Sequence, residues 1–189
     1  MSENAQGNHK SWSRIARRIR VPLGFGFAVI YLWLARPTLP LILAGSVIVV
    51  FGLGIRAIAS GQLRKNETLA TTGPYSYTRN PLYLGSILIG VGFALAARNI
   101  WIWIILLALF AVIYIPVIRS EESFLRAKFP DFALYATRVP RLLPRWSKES
   151  VTLGFSPELY LKHREYNASI GAALMMLATI LKVLLVRSA

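Results

Sequence analysis

The chain contains no cysteine. Disulfides, thiolate nucleophiles and thiolate metal sites are therefore excluded. Acidic side chains are also scarce, with eight Asp and Glu against 22 Lys and Arg, for a net charge of +14. The two histidines, His9 and His163, have no partner histidine at metal-ligand spacing. No Ser-His-Asp arrangement, phosphate loop or zinc pattern is visible, and Gly90-Val91-Gly92 is too little to mark a nucleotide site. No metal is expected.

What the chain has in abundance is apolar sequence, at 55% of 189 residues. Several apolar runs approach the roughly 20 residues of helix that a bilayer core requires. Spans are predicted at 21–35, 39–59, 81–97, 100–118 and 168–186, the first and third short enough to extend into their flanks. The fold class is thus an all-α, polytopic membrane helix bundle with about five transmembrane helices. No cleavable signal peptide is expected, because the first twenty residues are polar and basic and the run after them reads as a span. Trp12, Ile15 and Ile19 share a helical face, which predicts a short interfacial helix over Trp12–Arg20. The chain divides into an N-terminal tail with this helix (1–20), a membrane core (21–146), and a connector with the last span (147–189).

The positive charges lie in blocks between the apolar runs, which points to anionic lipid headgroups and topology control and away from nucleic acid. Only Arg36, Arg98, Lys182 and Arg187 fall on one side of a five-span arrangement, leaving eighteen of the 22 basic residues on the other. By the positive-inside rule the N-terminus, the loop between spans two and three and the segment after span four are cytoplasmic, and the C-terminus is outside. Lys182 is expected to snorkel outward. Arg56, costly in lipid, is expected to face the bundle or to snorkel.

The loop between spans two and three carries Thr72-Gly73-Pro74-Tyr75-Ser76-Tyr77-Thr78-Arg79-Asn80-Pro81-Leu82-Tyr83-Leu84-Gly85. Asn-Pro favours a turn, and Pro fits the first position of a helix, so Asn80 is a candidate N-cap and Pro81 the start of span three. Free N–H groups and a partial positive charge would then face Tyr75, Tyr77, Tyr83 and Arg79. A connecting loop with an interfacial aromatic belt is the plainer alternative. The glycines of spans two and three, Gly45, Gly52, Gly54, Gly90 and Gly92, read as close helix-packing contacts.

The second informative region follows span four. Pro116 removes a backbone hydrogen bond and predicts a kink, after which the helix should run on through Glu121-Glu122 to Lys128 and stop at Pro130. Neighbours on a helix point about 100° apart, so only one of Glu121 and Glu122 can face a ligand squarely. The other would pair with Arg119, Arg126 or an arginine of the motif loop, unless both simply belong to a solvated acidic turn. Phe129, Phe132, Leu134 and Tyr135 predict a stretch lying on the bilayer, and Val139-Pro140-Arg141-Leu142-Leu143-Pro144 an extended one. Ser156-Pro157-Glu158 predicts a capped helix through Leu159 to Tyr166, continuing into span five.

The motif from Gly73 to Gly85, the helical hairpin, Glu121-Glu122 and Tyr135 with Val139-Pro140-Arg141 together resemble the isoprenylcysteine carboxyl methyltransferase and phospholipid methyltransferase superfamily, over about residues 40–146. The resemblance implies an integral membrane methyltransferase that uses S-adenosylmethionine near the cytoplasmic surface. Asn80 stands where the family pattern usually has histidine. The resemblance implies Arg79, Asn80 and Glu122 as catalytic residues. It implies cofactor binding by Tyr75, Tyr77, Arg79, Asn80, Pro81, Tyr83, Leu84, Glu121, Glu122, Tyr135 and Arg141.

The expected function is methyl transfer to a lipid or lipid-like amphiphile with a carboxylate or amine head, in the bacterial inner membrane with the site facing the cytoplasm. The expected partners are this acceptor and membrane lipids. A membrane reductase of the sterol and steroid type using NADPH, which shares the C-terminal pattern, and a non-enzymatic membrane subunit are the competing readings.

Overall fold

A computed structural model describes residues 24–64, 67–145 and 154–188. Among these residues all regular structure is helical. Helix α1 spans Gly24–Leu34, α2 Leu39–Ser60, α3 Pro74–Tyr77, α4 Pro81–Ala97 and α5 Ile100–Leu109. A π-helical segment, Phe110–Tyr114, joins α5 to α6, Ile115–Lys128; α7 is Phe132–Arg138, α8 Pro157–Lys162 and α9 Tyr166–Ser188. The interfacial helix expected at Trp12–Arg20, and the start of the first span, lie outside the described residues.

Among the described residues three helices are long and apolar enough to cross a membrane: Leu39–Ser60, the continuous Ile100–Lys128 and Tyr166–Leu185. Helices α1 and α4 are shorter apolar helices packed among them. The expected lengthening of the third span does not occur. Pro81 starts α4, and Arg98 ends it in the left-handed conformation at φ 50°. Its 17 residues reach about 25 Å at a rise of about 1.5 Å each, a little less than a bilayer core of about 30 Å.

Glycines set the tightest contact of the bundle, between α2 and α4. A Cβ on Gly52 would lie 2.7 Å from the carbonyl oxygen of Gly85, and one on Gly92 would lie 2.5 Å from that of Gly45. Backbone cannot give way as a side chain can, so these positions admit only hydrogen. Such close approach is how helices gain van der Waals contact where lipid supplies no hydrophobic drive. Gly90 instead accommodates Leu106 of α5, and Gly54, against expectation, faces open space. On the outer face of α2, Leu43, Val47, Val50 and Phe51 are exposed at helical spacing, the stripe a lipid-facing helix requires.

The ends of the helices opposite the motif loop are tied together by polar groups. Arg36 N donates to Ala97 O at 2.8 Å. The Asn99 side chain accepts from Trp101 N and donates to Leu34 O. Lys182 Nζ reaches the Leu32 and Trp33 carbonyls at the end of α1, so its charge meets the negative end of a helix dipole. Inward, Tyr31, Val49, Phe93, Ala94, Ala97 and Ile102 form the main apolar core.

Pro116 sits two residues after the π-helical segment. A proline cannot donate to the carbonyl four residues back, and an inserted wide turn is a common way to absorb that loss. The helix then runs to Lys128 as expected. Helix α7 departs from expectation: Phe132 and Tyr135 do not face lipid but pack inward with Val139, Leu69 and Leu125, leaving Leu134 exposed. Ser156 caps α8, its Oγ accepting from Leu159 N at 3.3 Å. That helix does not continue into the last span. It ends at Lys162, and Arg164, left-handed at φ 53°, turns the chain before α9 begins.

Candidate functional site

The motif loop folds into a short helix followed by a turn that starts α4. Gly73, at φ 56°, permits the entry into α3 that a side chain would strain. Asn80 stands at the N-cap position of α4, and its carbonyl accepts from Tyr83 N and Leu84 N. Its side chain makes no cap hydrogen bond. It points across the bundle instead, Nδ2 donating to Glu122 Oε1 at 3.2 Å and to Arg141 O at 2.9 Å.

Glu122 is the centre of the arrangement. It projects from α6, is 7% exposed, and accepts from Arg141 through Nε at 2.9 Å, with Arg141 Nη2 2.8 Å away. Arg79 Nε lies 3.5 Å from Oε1, within ion-pair reach but too far to hydrogen bond. That buried N–H has no hydrogen-bond partner among the described residues. One carboxylate thus faces two guanidinium groups, and the cluster carries a net positive charge. Arg141 is half exposed and is the open edge of the cluster.

Backbone contacts hold the segment after α7 against the motif. Arg79 N donates to Pro140 O at 2.9 Å, Arg145 N to Tyr77 O at 3.0 Å, and Thr78 Oγ1 to Arg141 O at 3.3 Å. Tyr135 OH donates to Tyr75 O at 2.7 Å. The prolines that keep 139–144 extended leave these carbonyls available.

The sequence-predicted residues therefore separate into groups. Arg79, Asn80, Glu122 and Arg141 meet directly. Tyr75, Tyr77 and Tyr135 brace the loop, the first and last of them buried. Pro81 is buried at the start of α4, and Tyr83 packs edge-on against Tyr114 of the π-helical segment at 5.6 Å between rings. Leu84 is half-buried and contributes its backbone N–H to the turn. Glu122 is buried and Glu121, its neighbour on α6, is half-buried. Burial is the main cause of the raised Tyr75 pKa, and the charges of Tyr135, Glu121 and Glu165 add to it. The Tyr135 pKa is raised too, mainly by burial.

Two features escaped sequence reasoning. Thr78 is fully buried and links Arg141 O to Asn80 N. The partner of Arg56, a residue expected to face the bundle or to snorkel, is Glu165 at 2.7 Å. The available signal for that pair was an arginine in a span and one acid just before another span. A cavity of about 430 Å³ is lined by Gln62, Arg64, Thr68, Thr72, Ser156 and Leu159 among others. None of the predicted site residues lines it.

The element that carries this cluster also decides the family. Residues 38–131, from the start of α2 through α6, match the phospholipid methyltransferase family. The chain belongs to that family. Its relatives include the cobalt-zinc-cadmium resistance protein CzcN of Cupriavidus metallidurans, 44% identical over 84 residues, which are 44% of this chain and 39% of that protein. The nickel-cobalt-cadmium resistance protein NccN of Alcaligenes xylosoxydans xylosoxydans is 36% identical over 129 residues, 64% of this chain and 58% of that protein. The chain thus spans about half the length of the curated relatives it matches. No solved structure matches it. Arg79, Asn80 and Glu122 fall within the family core, whereas Tyr135, Arg141 and Glu165 lie beyond it.

Proposed function

We propose that this chain is an integral membrane methyltransferase that acts on a lipid or lipid-like amphiphile. The observation that carries the reading is the buried Glu122 with Arg79, Asn80 and Arg141 around it, at the end of the bundle where the family core closes. A buried net-positive cluster with an unsatisfied Arg79 N–H and a half-exposed Arg141 fits a ligand carboxylate.

The donor set suits S-adenosylmethionine, the methyl donor of the family, which supplies an activated methyl group on a sulfonium. Arg79 and Arg141 would hold its carboxylate. Glu121, next to Glu122 on α6, would take its amino group. Tyr77 and Tyr83, with Tyr114, would supply aromatic surface for its adenine. Glu122 orients the two arginines and Asn80 holds Glu122, so both act by preorganising the site. The positive-inside distribution of charge supports a cytoplasmic site, and the bacterial relatives support an inner-membrane location.

The relatives are named for metal resistance. Among the described residues no three His, Cys, Asp or Glu come together to hold a metal ion. Under the methyltransferase reading, a contribution of this chain to metal resistance would come through modification of a membrane component.

The test is ligand-dependent stabilisation of the detergent-purified protein, followed by mass analysis of lipid extracts incubated with methyl-labelled S-adenosylmethionine. Stabilisation by S-adenosylhomocysteine and a labelled amphiphile are expected. Stabilisation by NADPH alone would replace the reading with a membrane reductase. A response to neither would leave a non-enzymatic subunit.

A further inference from the structure

The cavity of about 430 Å³ is built without any residue of the Glu122 cluster. One wall comes from the loop 61–72, which leaves the end of α2 within the family core. The other is Gly154, Ser156 and Leu159 of the connector, outside the residues that match the family. The walls meet through Ser156 N, which donates to Gly61 O at 3.0 Å. They meet also through Phe155, whose ring occupies the space that a side chain on Gly61 would need.

The polar side chains on these walls are all able to donate hydrogen bonds. Arg64 supplies a guanidinium, and Thr68, Thr71, Thr72 and Ser156 supply hydroxyls. Glu67 N and Thr68 N both donate to Arg64 O, at 3.1 and 3.5 Å, in a turn that brings Thr68 back toward Arg64. Ser156 Oγ accepts from Leu159 N, and a hydroxyl that accepts one bond can still donate another. No Asp or Glu is among the described residues that line the cavity; Glu67 and Glu158, the acids nearest in the chain, are exposed outside the lining. Donors without a carboxylate suit an anion, and a guanidinium with several hydroxyls suits the oxygens of a phosphate. The volume falls within the usual range for a small-molecule site, about 300–1,000 Å³.

The cavity begins where α2 ends at Ser60 and the chain leaves the apolar bundle. Ile58 in the last turn of α2, Phe155 and Leu161 are exposed on the segments that flank it, and Leu69 and Leu159 add apolar lining. A place that is polar within and apolar at its edge matches the level of the phosphate groups in a bilayer. The cavity also borders the motif. Thr72 O accepts from Tyr75 N at 3.1 Å, and the Gln62 side chain fills the space that a Cβ on Gly73 would take. An occupant touching Arg64 and Ser156 therefore bridges the connector and the loop that leads into α3.

We propose that this cavity is a second ligand site, separate from the Glu122 cluster, that takes a phosphate ester and through it holds the connector against the motif loop. Arg64 pairs with the phosphate charge, and the threonine and Ser156 hydroxyls donate to its oxygens. The ester belongs either to the headgroup of an anionic phospholipid or to a soluble phosphate, since both present the same group to the same donors. The ligand is bound and not transformed. The inference goes beyond the methyltransferase reading and does not depend on it.

The experiment uses the full chain purified in dodecyl maltoside, a detergent without phosphate. Calorimetry with dihexanoyl phosphatidylglycerol and with glycerol 3-phosphate measures binding by wild type, Arg64→Gln, Thr68→Val and Arg138→Gln. Arg64 is exposed, so Arg64→Gln should melt with the wild type; Arg138 is an exposed arginine that does not line the cavity. Binding of either probe is expected, weaker by about tenfold or more in Arg64→Gln, by less in Thr68→Val, and unchanged in Arg138→Gln. Binding of the lipid alone makes the ligand a headgroup, and binding of glycerol 3-phosphate makes it a soluble ester; both support the site. With the probe bound, amide exchange should slow in both 61–72 and 156–162. Binding of neither probe overturns the proposal, as does equal weakening in Arg138→Gln, which would mean diffuse attraction to positive charge. Slowed exchange in one wall alone overturns the bridging. A parallel loss of S-adenosylhomocysteine affinity in Arg64→Gln would make the cavity part of the methyl-donor site and overturn the proposal too. A wild type that binds a phosphate probe but no S-adenosylhomocysteine would remove the methyltransferase reading and leave this site standing.

Discussion

Asn80 and Glu122, 42 residues apart in sequence, meet through a 3.2 Å hydrogen bond inside the bundle. That contact joins the first residue before α4 to the third turn of α6, and it does so with the side chain that sequence reasoning had assigned to capping. The Asn80 carbonyl still accepts from Tyr83 N and Leu84 N, whereas the side chain makes no cap hydrogen bond and is turned so that Nδ2 donates to Glu122 and to Arg141 O.

Removing the carboxylate should expose how much this junction holds. Glu122→Ala leaves Arg79 buried without its counter-charge and Asn80 without one acceptor. A loss of about 2–4 kcal/mol is expected, at the lower end of buried-pair deletions because Arg141 is half exposed and can turn to water. Glu122→Gln preserves shape and should cost less. Chemical unfolding in detergent, followed by tryptophan fluorescence, measures both.

Asn80→Asp tests the sign of the interaction. The substitution replaces a donor by a carboxylate facing Glu122 and Arg141 O, and should destabilise the protein more than Asn80→Ala does at neutral pH. Lowering the pH should relieve the difference as one of the paired carboxylates takes up a proton. A melting series from neutral pH to about pH 5 would show convergence of the two variants; parallel curves would argue against direct repulsion.

The glycine contact between α2 and α4 separates positions that composition alone treats alike. Gly52→Val would push a side chain against the Gly85 carbonyl at 2.7 Å and against α4 backbone, and should reduce stability by about 3 kcal/mol or prevent assembly. Gly54→Ala meets nothing within 4 Å and should be neutral or stabilising by about 0.5–1 kcal/mol, since alanine favours helix. Yield and melting temperature of the two variants, compared side by side, check the contrast.

Tyr75 and Tyr135 should resist ionisation. Both hydroxyls have pKa values raised above the ordinary 10.0, chiefly by burial. A raised folded-state pKa contributes stability that is complete below pH 10 and is lost as pH rises above it, because the unfolded chain then releases protons that the folded chain retains. Spectrophotometric titration should find two tyrosines that ionise only as the fold opens, and unfolding free energy should decline above about pH 10. In Tyr135→Phe, loss of the 2.7 Å bond to Tyr75 O should cost about 1 kcal/mol.

Much of this architecture was legible locally. The apolar runs locate α2, α4, α5 with α6, and α9, since a span needs only about 20 residues of summed hydropathy. Prolines mark the starts of α4 and α8 and the break before α7, and Ser156 is the cap its pattern predicts. Those signals act within a few residues and need no partner. The motifs likewise singled out Arg79, Asn80, Glu122 and Arg141 as residues to bring together.

Tertiary structure alone decided the pairings. Glu121 and Glu122 are equivalent in composition, and the rotation of α6 against α4 selects Glu122 to be buried between two arginines. The turn at Arg164 ends a helix that local pattern would continue, because docking on α2 through Ser60, Gly61 and Arg56 outweighs helical propensity there. The partner of Arg56 lies 109 residues away, beyond the reach of any periodicity. Sequence by itself determined where the long apolar helices run and singled out Arg79, Asn80, Glu122 and Arg141. Which of them touch depends on helix rotation and depth, and those are properties of the packed bundle rather than of any one segment.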